Sequence, residues 1–231
     1  MGFIGDGLRE ALVLLAGLDP DVIHAAWTSL VVSVWAVVIA SLAGIPLGLF
    51  VGVADFPLRR QTVMLLNSLL GIPTVLVGLL LFGFLSRQGP LGAWGILFTR
   101  EAIILGDALL AVPIMASYTL AAVAGADPAI LETASTLGAG PLRGTFKLAS
   151  EIRYGIVAAV IAGFGRVISE VGVAMMLGGN IRGVTRTMTT AIALESGKGN
   201  FAFGVAIGAL LLAIVLVVNI FLNSLQQQRS R

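Results

Sequence analysis

The chain has 231 residues, 58% of them apolar and 11% charged, with 29 glycines, no cysteine, a net charge of +2 and a mean hydropathy of +1.02. Soluble domains carry about 25% charged residues, so this stock cannot clothe a water-exposed globule, and any part outside a membrane is small. A pI near 9.5, reached without a basic block, gives nucleic-acid binding no support; the absence of cysteine excludes disulfides and thiolate metal sites.

In chain order, the apolar run 11–18 is too short to span, and Arg9 before it stands beside Glu10 and Asp6, so no cleaved leader is expected. A membrane helix needs about 20 apolar residues. The stretches 22–54, 61–86, 108–126 and 199–228 carry no charge apart from His24 and satisfy that length. A fifth, 154–176, is interrupted by Arg166 and Glu170 but is otherwise almost all Ala, Val, Ile, Gly and Met, and reads as a membrane helix with a buried pair. The expected fold is therefore an all-α integral membrane protein, one domain of five transmembrane helices embedded in the lipid bilayer. Five crossings put the two ends on opposite sides. Lysine and arginine mark the cytoplasmic side, but with the C-terminus inside they divide seven against six. The tail Gln226-Gln227-Gln228-Arg229-Ser230-Arg231 resembles a cytoplasmic stop and sets the C-terminus inside.

Gly44, Gly48 and Gly52 recur every four residues and Gly204 and Gly208 repeat the spacing, which allows close backbone approach between helices in lipid. Pro46, Pro73 and Pro113 each sit within an apolar run, where the missing amide donor bends a helix. Asn67, Ser68, Thr74 and Ser117 are the polar groups within spans that are available to line a path or to bond a neighbouring helix.

The connection 125–153 is long and polar. Asp127-Pro128 starts a short helix to Thr136, Leu137-Gly138 ends it with a left-handed cap, and a second short helix begins after Pro141. Glu132-Thr133-Ala134, with Gly138 six residues after the glutamate, resembles the loop signature of ABC importer permeases of the molybdate, sulfate and methionine type. The pattern departs at Leu148, Ala149, Ser150 and Glu151, where the family's second leucine and proline are missing. The stretch Ile168-Ser169-Glu170-Val171-Gly172, running through Gly178-Gly179-Asn180-Ile181 to Arg182-Gly183-Val184-Thr185-Arg186-Thr187-Met188-Thr189-Thr190, is similar to the tungstate branch of the oxyanion permeases. The resemblance covers roughly residues 25–223. It implies a type I importer permease fold: an extracytoplasmic segment 1–24, an ABC transmembrane type-1 domain 25–223 and a cytoplasmic tail 224–231. It also implies a homodimer in the cytoplasmic membrane, N-terminus outside and C-terminus inside, served by an external binding protein. A cytoplasmic coupling helix carrying Glu132, Thr133, Ala134, Gly138 and Arg143 would dock on a separate ABC ATPase subunit.

The chain's own chemistry agrees with a transport subunit rather than a catalyst. Gly197-Lys198 is followed by Gly199, and Ile192 stands where a phosphate-binding loop needs glycine, so no Walker A spacing exists. With one histidine, His24, expected at the outer membrane interface, no metal or nucleophile cluster assembles; catalytic residues, metal and cofactors are expected to be none. Arg166 and Glu170, four apart on one helical face, neutralise one another in hydrocarbon, as a gate or hinge on the path or as a brace between spans; Thr74 and Ser117 are the accompanying path candidates. Asp107, lacking a local partner, is expected near the outer interface with Arg100 and Glu101. Arg182, Thr185, Arg186 and Thr187 form a donor-rich outer strip suited to an oxyanion or a docked binding protein, or else a solvated surface helix. The expected cargo is tungstate, with molybdate or sulfate as the alternatives. A secondary transporter using Arg166 and Glu170 as an ion relay would predict inverted repeats, which the sequence does not display.

Overall fold

The computed structural model describes residues 9, 12, 13, 17 and 19–227. Most of the expected outer segment 1–24, including the short run 11–18, and the last four residues of the tail lie outside the described residues. All regular structure among the described residues is helical. Helix α1, Pro20–Val53, starts with Asp19 as N-cap, whose Oδ1 accepts from the amides of Asp21 (2.8 Å) and Val22 (3.4 Å), and with Pro20 in the first turn. Its far end is closed by a side chain from beyond it: Arg59 donates through Nε to the Val51 carbonyl (2.9 Å) and through a terminal nitrogen to Gly52 (3.1 Å). These carbonyls have no partner within a helix that ends there.

Helices α2, Arg59–Leu69, and α3, Thr74–Leu85, follow, then a 3-10 turn at Gly92–Trp94 and α4, Arg100–Ala124. Next come α5, Ala129–Thr136, α6, Pro141–Glu151, α7, Arg153–Ile168, α8, Gly172–Gly178, α9, Met188–Gly197, and α10, Phe201–Gln227. Three of these, α1, α4 and α10, are each long and apolar enough to cross a membrane; counting the bent pairs α2–α3 and α6–α7 as one span each raises the number to five. The uncharged stretch 61–86 is thus not one helix: its halves meet at 99°, because Pro73 brings no amide donor and Gly71 costs the preceding turn its rigidity. Nor is 154–176 continuous. Helix α7 stops at Ile168, and Ser169, Glu170 and Val171 intervene before α8.

The core is built on α4. Gly44, Gly48 and Gly52 of α1 lie against it so closely that an added Cβ would meet the Val112 carbonyl at 2.7 Å, Thr119 Cβ at 2.7 Å and Val123 Cγ1 at 2.7 Å, respectively. The matching order along both helices makes them parallel. Gly155 and Gly163 of α7 seat on Ala122 and Met115 in the reverse order, so α7 is antiparallel to α4. Ala36, Val37 and Ala40, Ala108, Ala111 and Met115, and Phe164, Val167 and Ile168 form the central cluster of these three helices. The second glycine pair packs less tightly: Gly204 faces Ser196 Oγ at 3.2 Å and Gly208 meets Ile192 only at 3.9 Å. Helix α10 runs parallel to α1, its start beside Val22 and Ala25 and its middle beside the central cluster. Outward, Trp27, Trp35 and Leu42 of α1 and Leu212, Val217 and Ile220 of α10 are exposed, the surface expected of helices that face lipid rather than water.

Candidate functional site

Three places carry the residues singled out in the sequence. The first is the helix–glycine–helix element. Asp127 Oδ1 accepts from the Ala129 amide (2.9 Å), fixing the start of α5, with Pro128 as its N-cap residue. Gly138 adopts φ +80°, a conformation in which any side chain is strained, and the Ala139 amide reaches back to the Ala134 carbonyl (2.9 Å). Pro141 then opens α6. Glu132, Thr133 and Arg143 are exposed and Ala134 is half-buried, while Leu137 at the tip is 82% exposed. A groove of about 500 Å³ runs between the two short helices, lined by Asp127, Ile130, Thr133, Ala134 and Leu137 on one side and by Lys147 and Glu151, an ion pair at 2.5 Å, on the other. Although Glu151 replaces the family's proline, α6 still turns sharply at Ile152, by 72°, into α7. A stiff, locally capped knob with an apolar tip is suited to seating in another protein.

The second place is inside the bundle, where the two helix breaks meet. Gly172, opening α8, lies against the start of α3 so that an added Cβ would fall 2.8 Å from Thr74 Oγ1 and 3.0 Å from the Val75 amide. In the break before it, Glu170 is 4% exposed and held from several sides. Its carboxylate takes Arg166 at 3.0 Å and the Val173 amide at 3.1 Å, and its carbonyl accepts from Thr189 Oγ1 at 2.7 Å. Asp107 on α4, expected near the outer interface, is buried at 2% exposure, and its neighbour Ala108 lies in the central cluster with Phe164, Val167 and Ile168 of α7. Seven residues of helix, about 10 Å, separate it from Arg100. Among the described residues, the buried side-chain atoms without a hydrogen-bond partner are Asp107 Oδ1, Ser117 Oγ and Thr119 Oγ1, all on α4. Asn67 and Ser68 sit on an exposed face of α2, Ser68 Oγ donating to the Met64 carbonyl (2.8 Å).

The third place is the end of the bundle near Arg100. Here 182–185 is a turn rather than a surface helix. Arg182 holds Asp21 with two hydrogen bonds, the Nε contact at 2.8 Å, which raises the Arg182 pKa further. Arg186 donates to Asn180 Oδ1 (3.2 Å). Thr185 is buried, donating to the Gly178 carbonyl at 2.5 Å and accepting from the Ile181 amide at 3.0 Å. Thr187 is the N-cap of α9 in a reciprocal pair with Thr190. The two threonines therefore shape this end, and the guanidinium groups of Arg182 and Arg186 reach a cleft of about 320 Å³ shared with Asp21, Glu195, Lys198, Asn200 and Phe203. Three cations against two carboxylates leave the cleft positive. Glu195 is held below the ordinary carboxylate range by hydrogen bonds from Lys198 (2.8 Å) and, more weakly, Asn200 (3.2 Å), against the opposing effect of burial. His24 stands between Thr28 and Arg100, at 3.4 and 3.5 Å.

Sequence reasoning missed Arg59 as a helix cap and Asp107 as part of the Arg166–Glu170 cluster. The only advance signal for Asp107 was a lone carboxylate within two turns of an uncharged stretch. Among the described residues no group of three or more His, Cys, Asp and Glu could hold a metal.

No family model matches the chain. It is 38% identical over 228 residues to the tungstate uptake system permease protein TupB of Peptoclostridium acidaminophilum, covering 99% of this chain and 100% of the relative. It is 38% identical over 227 residues to the permease of the same name from Campylobacter jejuni, covering 98% and 95%. A probable anion ABC transporter permease protein of Haloferax volcanii is 42% identical over 196 residues, 83% of this chain and 84% of that one.

Proposed function

The chain belongs to the family of ABC transporter permeases that includes the tungstate uptake permeases, and from that premise we propose that it is the membrane subunit of an ATP-driven tungstate importer. It works as a homodimer, with a separate ATPase at the cytoplasmic face and a binding protein outside. It crosses the cytoplasmic membrane five times, each bent pair counting as one crossing, N-terminus outside and C-terminus inside. Residues 1–24 form the outer segment, 25–223 the transmembrane domain and 224–231 the inner tail. The common direction of α1, α4 and α10, opposite to α7, supports this count.

The observation that carries the coupled reading is the exposed element around Gly138, whose φ of +80° joins two short helices into one knob. Glu132, Thr133, Ala134, Gly138 and Arg143 meet the ATPase there. ATP-driven closure of the ATPases pulls on α5 and α6, and the 72° corner at Ile152 passes the displacement to α7, on which Arg166 sits. The oxyanion is a tetrahedral dianion. Its path offers the hydroxyls of Thr74 and Ser117, and the start of α3, whose N-cap Pro73 supplies no side-chain cap, presents the positive end of a helix dipole. Outside, the positive cleft at Arg182 and Arg186, built by Thr185 and Thr187, receives the anion or the loaded binding protein. Selection among tungstate, molybdate and sulfate falls mainly to that protein.

The test is to co-express the chain with its ATPase and binding protein, reconstitute the complex, and measure ATPase rate against tungstate, molybdate and sulfate. The expected result is stimulation by tungstate-loaded binding protein that disappears with Gly138→Pro. A chain that never copurifies with an ATPase, or stimulation that survives Gly138→Pro, overturns the coupled reading.

A further inference from the structure

Asp107 is the one group of the buried cluster that this arrangement leaves unused. A buried polar atom without a partner destabilises the fold, and few survive in folded proteins without a reason; Asp107 Oδ1 is such an atom, and it belongs to a residue 2% exposed within an apolar bundle. Ala108, the next residue along, shares the central cluster with Phe164 and Val167, which flank Arg166 on α7. Helix α8 carries no charged residue, α3 carries none, and α1 carries none between His24 and its end. Glu170 is fixed by backbone contacts to Val173 and Thr189, whereas Arg166 keeps more than a third of its side chain exposed and ends on a long, rotatable stem.

The two pairings differ in what they tie together. Arg166 with Glu170 is a bond within one segment, the end of α7 and the break after it. Arg166 with Asp107 would be a bond between α7 and α4. Helices α4 and α7 pack closely, with Gly155 and Gly163 seated on Ala122 and Met115, so a bond between them would act across an existing contact.

We propose that Asp107 is the alternative partner of Arg166: in the opposite state of the transport cycle Arg166 leaves Glu170 and latches α7 onto α4 through Asp107. Asp107 is then a positioning residue acting through Arg166, and the inference rests on the alternating-access reading above. The latch gives the cycle two discrete arrangements rather than a continuum, which is how packed bundles transmit small displacements. Deleting either carboxylate removes one arrangement, so the two deletions bias the equilibrium in opposite directions.

Because the chain contains no cysteine, Leu109→Cys on α4 and Ile161→Cys on α7 accept a spin-label pair whose separation reports the two arrangements in the reconstituted complex, with and without ATP. The expected result is that Asp107→Asn holds the pair at one separation and Glu170→Gln at the other. Asp107→Asn also lowers binding-protein-stimulated ATP hydrolysis roughly fivefold or more, and Asp107→Glu restores both readouts. Shifts of the same sign in the two variants, or an Asp107→Asn complex that cycles like the wild type, overturn the latch while leaving the importer reading intact. Should Glu170→Gln fail to fold, the contrast between Asp107→Asn and Asp107→Glu decides alone: equal loss in both marks a structural role and overturns it. A wild-type complex without ATP-dependent change brings down the functional reading itself.

Discussion

Glu170 and Glu195 are both paired carboxylates, yet their pairings do different things. Glu170 is buried, pairs with the half-buried Arg166 and accepts from the Val173 amide in the first turn of α8, so its charge is spent inside the bundle. Glu195 sits at the cleft it shares with Arg182 and Arg186, where Lys198 and Asn200 close the end of α9 around it. Its pKa lies below the ordinary glutamate value, first because of the Lys198 hydrogen bond. The sign follows: its contribution to stability is present above the unfolded value of about 4.3 and is lost as pH falls through the lower folded value. Wild-type protein in detergent is therefore expected to lose more thermal stability between about pH 5 and pH 3 than Glu195→Gln does; parallel melting curves for the two would contradict the pairing. Single residues were legible in the sequence when their partners were close in it. Arg166 and Glu170 stand four apart and found each other, whereas Thr187 and Thr190 were read as members of a donor-rich strip and not as a capping pair. Arg182 was legible as a cation but not as the partner of Asp21, 161 residues away, and Asp107 was read without its neighbours on α7 because only the fold brings α7 to it.

Helices here are held by missing side chains more than by matched ones. In lipid no hydrophobic force draws one apolar helix to another, so close approach and dispersion must do it. The notch at Gly48, where an added Cβ falls 2.7 Å from Thr119 Cβ and against the Ala116 carbonyl, joins α1 to α4, whereas nothing lies within 4 Å of one added at Gly165. Gly48→Ala is expected to destabilise the protein by about 1–3 kcal/mol through overpacking, and Gly165→Ala to leave the melting temperature nearly unchanged. Equal effects would show that the notch does not hold the pair. Every-fourth-residue spacing announced this contact, but the same spacing at Gly204 and Gly208 gave looser packing, 3.2 and 3.9 Å, since spacing identifies a smooth face and not what is laid on it. Local caps made the segment from Asp127 to Pro141 readable almost residue by residue. The breaks at 70–73 and 169–171 were not, because counting charges along an apolar run says nothing about where its backbone hydrogen bonds are interrupted.

At the scale of the whole molecule, hydropathy identified a multi-pass membrane protein, the resemblance carried by the loop at Glu132–Gly138 and the stretch 168–190 pointed to an ABC permease family, and the relatives agree over nearly the full chain. The division of labour follows from what the chain carries. One end presents a stiff knob, the interior two buried carboxylates beside the half-buried Arg166, and the other end a positive cleft. The sequence holds no Walker A spacing, and the account has movement of the anion driven through the knob by another subunit. The most direct measurement is tungstate uptake into proteoliposomes holding the permease, its ATPase and its binding protein, with either ATP or a proton gradient as the energy source. Uptake that needs ATP, ignores the gradient and is abolished by Gly138→Pro is the predicted result. Uptake driven by the gradient without ATP would contradict it and make Arg166 and Glu170 parts of an ion relay instead.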